Sequence, residues 1–136
     1  MIARTAAAAA ALVVAGALPA YAHHSIQAVV DTSREVSNDL VLTRIDWVNP
    51  HAWFHFSTKA GKGDIMVEWL GLAGMRQAGY RSPDFFTVGR TYKVTYNPNR
   101  DGTPGGQIVS LVDETTGQLL DRLGPEGAAG SAAAGG

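Results

Sequence analysis

The chain has four histidines, and they fall in two short places: His23 and His24 near the N-terminus, His51 and His55 farther along. Imidazole is a favoured ligand for borderline metal ions, so this clustering is the chemically suggestive feature of the sequence. Ala20-Tyr21-Ala22 directly precedes His23 and has the small-x-small pattern of a signal-peptide cleavage site. Cleavage there would leave His23 with a free α-amine beside its imidazole. Those two nitrogens could chelate one copper or zinc ion, His51 could add a third nitrogen, and His24 or Glu68 an adjustable fourth contact. Acidification through about pH 6 would release such an ion as the imidazoles protonate. His51 and His55 cannot both join, because four residues of strand at ~3.3 Å each separate their Cα atoms by about 13 Å, far beyond metal bonds of about 2 Å. The expected metal set is therefore His23, His24, His51 and Glu68. Trp53 shares a strand face with His51, His55 and Ser57, so Trp53 and His55 are the expected face for a ligand or partner. Against this stands a plainer role for His55, which lies between Phe54 and Phe56 and also suits half-buried packing.

Other chemistries find little support. Cysteine is absent, which removes disulfides, thiolate metal cages and haem attachment. The 136 residues carry 11 Lys+Arg against 12 Asp+Glu, a formal charge of −1. A chain this close to neutral has no basic field for a phosphate backbone, so nucleic acid is excluded as a partner. No serine sits in a G-x-S-x-G elbow, so Ser57, His55 and Asp46 make a triad only on paper. Glu68 and Asp46 are lone strand carboxylates, and the Gly-rich run Arg100–Gly106 lacks the Gly-Lys-Ser/Thr of a phosphate loop. No catalytic residue is assigned.

The ends of the chain set its organisation. Residues 1–22 read as a secretory signal: Arg4 is the only charge, and the apolar run from Ala6 to Leu18 is 13 residues long and mostly alanine. That falls short of the roughly 20 residues that span hydrocarbon, so no membrane span is expected after cleavage. Residues 124–136 are nearly all Gly, Ala, Ser and Pro, too poor in side chain to offset their ordering entropy, and read as a disordered tail. One domain, 23–123, remains between them. An exported chain without cysteine fits a bacterial periplasm.

Within that domain, period-2 alternation dominates. Val41, Thr43, Ile45 and Trp47 share one face of a first strand, with Leu42, Arg44 and Asp46 on the other. Asn49-Pro50 interrupts as a turn. A second strand, about His51–Thr58, alternates Ala52, Phe54 and Phe56 against the histidine face, and Gly61-Lys62-Gly63 turns into a third strand with Ile65, Val67 and Trp69 on one side. Leu72, Met75 and Arg76 then recur at helical spacing, stopped by Gly79, and Ser82-Pro83-Asp84 resembles a capped single turn. Tyr92, Val94 and Tyr96 mark a fourth strand and Ile108, Ser110 and Val112 a fifth. Asn97 to Gly106 reads as turn chemistry between them, and Gln118–Asp121 as a closing edge. Three strands, a helix and two strands predict an all-β fold: a small five-to-six-stranded OB-like barrel with one short helix between strands 3 and 4. An open sandwich would want about seven strands.

Ala22-His23-His24-Ser25 followed by Trp47-Val48-Asn49-Pro50-His51-Ala52-Trp53 resembles an uncharacterised family of small exported bacterial proteins, a domain of unknown function. Val67-Glu68-Trp69, Gln77-Ala78-Gly79-Tyr80 and Asn97-Pro98-Asn99-Arg100-Asp101-Gly102 continue the likeness in the same order. The chain differs in having Ile26-Gln27 where members carry an aromatic, and Asp39-Leu40 where they carry glycine. The resemblance implies location and layout, not an activity. Three functions follow as expectations. The first is a non-catalytic periplasmic binding module for copper, zinc, a small ligand or a periplasmic protein. The second is a copper-dependent redox enzyme built on the His23 chelate, and the third a purely structural or interaction domain.

Overall fold

The computed structural model describes residues 26–122; the expected signal segment, His23, His24 and the 124–136 tail lie outside the described residues. A four-residue helix α1 (Ile26–Val29) leads into strands β1 (Val36–Asp46), β2 (Trp53–Thr58) and β3 (Ile65–Glu68). Helix α2 (Leu72–Gln77) and a 3-10 turn (Pro83–Phe85) follow, then β4 (Thr91–Pro98), β5 (Gly105–Asp113) and β6 (Leu119–Asp121). The strands run β3-β2-β1-β4-β5-β6, and a further parallel pairing of β3 with β5 closes the first five into a barrel. Every other pairing is antiparallel. The OB-like barrel expected from the element order is the fold, with β6 as an added edge on β5.

Its interior is filled by the apolar set of each strand. Phe54 and Phe56 of β2, Val67 of β3, Tyr92 and Val94 of β4 and Ile108 of β5 are fully buried, as their period-2 placement predicted. Phe54 packs edge-on to Phe86 at 4.9 Å and beside Trp69 at 5.4 Å. Met75 of α2 and Tyr80 beyond it complete this core. Gly79, at φ +99°, ends the helix, and Ser82 accepts a hydrogen bond from the Asp84 N–H at 3.3 Å to cap the 3-10 turn.

Three features depart from the sequence expectation. On β1 the buried residues are Leu40 and Leu42, whereas Ile45 packs against the core from the other parity. A bulge between Leu42 and Arg44 is the reason: Thr43 is left over in the pairing with β2, and each residue beyond it changes face. On β5, Ile108 and Leu111 are buried where simple alternation paired Ile108 with Ser110, because the register against β4 slips between Thr95 and Tyr96. The run Asn97–Gly106 is also less of a turn than it reads, since β4 extends through Pro98 and β5 begins at Gly105. Gly105 is strand because β5 crosses there onto β3. A Cβ at that position would collide with the Met66 carbonyl oxygen, and its φ of +121° suits glycine alone.

Candidate functional site

His51 sits at the mouth of the β2–β3 ladder, directly after the Asn49-Pro50 turn, whose peptide bond is cis. Beyond the Trp53–Glu68 pair the two chains stay joined, with Trp69 N–H donating to the Ala52 carbonyl at 2.9 Å and Ala52 N–H to that of Leu70 at 3.0 Å. The turn itself lies against Gly71, where a Cβ would meet the Pro50 carbonyl oxygen inside 3.0 Å. Close backbone approach therefore holds the corner in place.

This register brings two of the four expected metal residues together. Trp53 and Glu68 face each other across the strands, which puts His51, two residues before Trp53, diagonal to Glu68 on the outward face. The His51 Nδ1 is in contact with the Glu68 Oε1. The carboxylate side chain is 15% exposed and the imidazole 48%. Burial pushes the Glu68 carboxyl above its ordinary value, and the neighbouring His51 charge opposes that shift. With Nδ1 engaged by the carboxylate, Nε2 is the ring nitrogen that Glu68 does not hold. A carboxylate behind one nitrogen, fixing the tautomer and aiming the other, is how metal-ligating histidines are commonly oriented.

His55 occupies a different environment. Its ring is 6% exposed, and both nitrogens are engaged: Nδ1 lies 3.1 Å from Asp64 Oδ1, and Nε2 lies 3.0 Å from Asp46 Oδ2 and 2.9 Å from Arg44 Nη2. The hydrogen bond from His55, aided by Arg44, holds the Asp46 carboxyl below the usual carboxylate range against the opposing pull of desolvation. No ring nitrogen is spare for a metal, nor for a serine in the manner of a triad. His55 instead ties β1 to the β2–β3 hairpin, while Trp53 stays half-exposed on the outer face. Sequence reasoning missed this clamp. Asp64, just before β3, was a visible signal, but the β1 bulge hid the pairing of Arg44 with His55.

Beside the His51–Glu68 pair lies a cleft of about 450 Å³ on the outer face of β2 and β3. Trp53, Met66 and Glu68 form one side, the β4–β5 loop with Asp101 another, and Val29 and Val30 a third. The N-terminal segment is fastened there by backbone pairing. Val30 bridges to Asn99, Arg100 N–H donates to the Val29 carbonyl at 2.9 Å, and Asp31 N–H donates to that of Pro98 at 2.9 Å. A larger, shallower depression of about 640 Å³ lies elsewhere, lined in part by Lys59, Arg90 and Glu114; Lys59 and Arg90 are paired with Asp39 and Asp113.

Among the described residues, no three His, Cys, Asp or Glu side chains converge to form a metal cage, so His51 and Glu68 would need ligands from outside 26–122. No described helix is long and apolar enough to cross a membrane. No curated protein and no solved structure matches the chain. A family model does match, over residues 9–108, and the chain belongs to that family, DUF6152, a family of unknown function.

Proposed function

We propose that the protein is an exported periplasmic binding module that holds a transition-metal ion, copper or zinc, between His51 and the histidines that cleavage after Ala22 would place at its N-terminus. One observation carries the reading: the half-exposed His51 ring, at the mouth of the strand ladder, is held by Glu68 through Nδ1, which leaves Nε2 as the nitrogen that could ligate. Glu68 then acts as the orienting carboxylate, and the ligand nitrogens come from His51, His23 and His24. Chain reach supports it. Val29 lines the cleft that Glu68 also lines. Helix α1 carries the chain back from it by about 4.5 Å to Ile26, and the three steps from there to His23 could span about 10 Å if extended. A site whose ligands are the three imidazoles and the His23 amine, all nitrogen, suits copper or zinc better than magnesium or calcium, which prefer oxygen.

The test is a Cu(II) and Zn(II) titration of the protein that begins at His23. One ion per chain is expected, with micromolar or tighter affinity. Glu68→Gln should weaken it by about 10- to 100-fold, since an orienting carboxylate is lost while the ligands stay. A chain that keeps residues 1–22 should lose most of the affinity with its blocked amine. If His23→Ala and His51→Ala both leave binding unchanged, the reading is wrong.

A further inference from the structure

The cleft beside Glu68 has a composition that a metal site does not explain. Its apolar surface comes from Trp53, from Met66 and from Val29, the last two 41% and 51% exposed. Its charged side chains are Asp64, Glu68 and Asp101, and among the described residues none that line it is lysine or arginine. The Thr103 hydroxyl and N–H both donate to Asp101, at 2.7 and 2.9 Å, and hold its carboxyl below the usual range, so it stays ionised near neutrality. The cavity, about 450 Å³, is of the size that takes small molecules. It also lies on the strand 2–3 face beside the loop between strands 4 and 5, where barrels of this topology bind their ligands.

We infer that this cleft binds a small organic cation, a primary amine carried on an apolar alkyl stem. Asp64 and Glu68 already face the His55 and His51 rings, and Asp101 accepts from Thr103 on Oδ1. The lone pairs that remain suit a ligand that donates, which an ammonium does from all its N–H groups while supplying the opposite charge. The indole of Trp53 attracts a cation to its face, and the stem lies along Met66 and Val29. A phosphate or carboxylate ligand would meet the like charge of Asp101, beside the carboxylates of Asp64 and Glu68 that lean on the His55 and His51 rings. The inference goes beyond the metal reading and shares only Glu68 with it, so it is tested with the metal removed and on residues other than His51.

The experiment titrates the protein, in excess chelator, with pentylamine, 1-pentanol and pentanoate, ligands of one shape and different charge. Heat and the indole N–H resonance of Trp53, assigned with Trp53→Phe, are the readouts. Pentylamine should saturate a single site and shift that resonance, with 1-pentanol at least about tenfold weaker and pentanoate silent. Trp53→Leu should weaken the amine by about 3- to 30-fold, the range that cation–π contacts span. Asp101→Asn keeps the acceptor for Thr103 and should weaken it about threefold or more, with raised salt reducing the wild-type affinity in the same direction. Dispersed amide spectra of both variants report that the barrel is intact. Equal binding of 1-pentanol, saturation by a neutral sugar in place of the amine, no saturable amine binding, or an amine affinity indifferent to both substitutions would each overturn the inference. The metal reading would survive any of these results.

Discussion

Gly71 and Gly74 lie three residues apart around the start of α2, and replacing each with alanine should move stability in different directions. Gly71 has an ordinary φ of −65°, so alanine carries no backbone penalty there and the cost is purely steric. Its new Cβ would overlap the Pro50 carbonyl oxygen, and the two chains must part by about 1 Å to restore normal contact. The obstacle is backbone on both sides, so no side chain can swing away. Overpacking of this kind costs roughly 1–3 kcal/mol. The same movement strains the hydrogen bonds from Ala52 to Leu70 and from Leu72 N–H to Asn49 Oδ1, at 3.0 and 3.4 Å. Losing one adds about 1 kcal/mol, for a total of about 2–4 kcal/mol. At Gly74 the Cβ meets only the Leu70 side chain, at 3.2 Å from its Cβ, and alanine gains up to about 1 kcal/mol of helix propensity. Gly74→Ala should thus be neutral or slightly stabilising. Urea unfolding of the two variants and the parent measures the difference. In a domain of this size Gly71→Ala should lower Tm by about 8–30 °C. Because the displaced turn carries His51, it should also weaken metal binding. A Gly71→Ala protein as stable as the parent would refute the claim that backbone contact pins this corner.

Two further outcomes follow from buried polar contacts. Asp113 is 6% exposed and accepts from Arg90 at 2.6 Å; burial pushes its carboxyl up, but Arg90 and the N–H groups of Thr115 and Thr116 outweigh that, and the net shift is downward from 3.8. A depressed carboxyl stabilises the fold fully above its unfolded value and loses that contribution as pH falls through the folded one. Asp113→Asn should therefore cost about 1–3 kcal/mol at pH 7, and the gap to the parent should shrink below about pH 4 in urea unfolding; a gap independent of pH would contradict it. Tyr80, whose phenol burial pushes up, donates to the Asp121 carbonyl at 2.9 Å. Tyr80→Phe should cost about 1 kcal/mol and speed amide exchange in β6 while leaving β1 and β2 protected, and uniform exchange across the barrel would count against that anchoring role.

The succession of strands along the chain, the short helix with its glycine stop, and the inner faces of β2, β3 and β4 are legible in the residues, because uninterrupted alternation maps directly onto a two-sided strand. Phe54, Phe56, Val67, Tyr92 and Val94 are core for that reason. Alternation fails at β1 and β5, where one extra residue in a bulge reverses the faces without any compositional mark. Nor does local sequence announce that β3 will lie parallel to β5, a contact between segments far apart in the chain that needs Gly105 to let the backbones meet.

The site divides the same way. Residue types nominate His51 and Glu68, since imidazole and carboxylate carry their chemistry wherever they stand. Which nitrogen faces the carboxylate, and that His55 is sealed between Asp46 and Asp64, follow from register across three strands. Composition sets what the side chains can do, and the closed barrel sets which of them meet, because pairing partners are chosen by the whole sheet and not by neighbours in the chain.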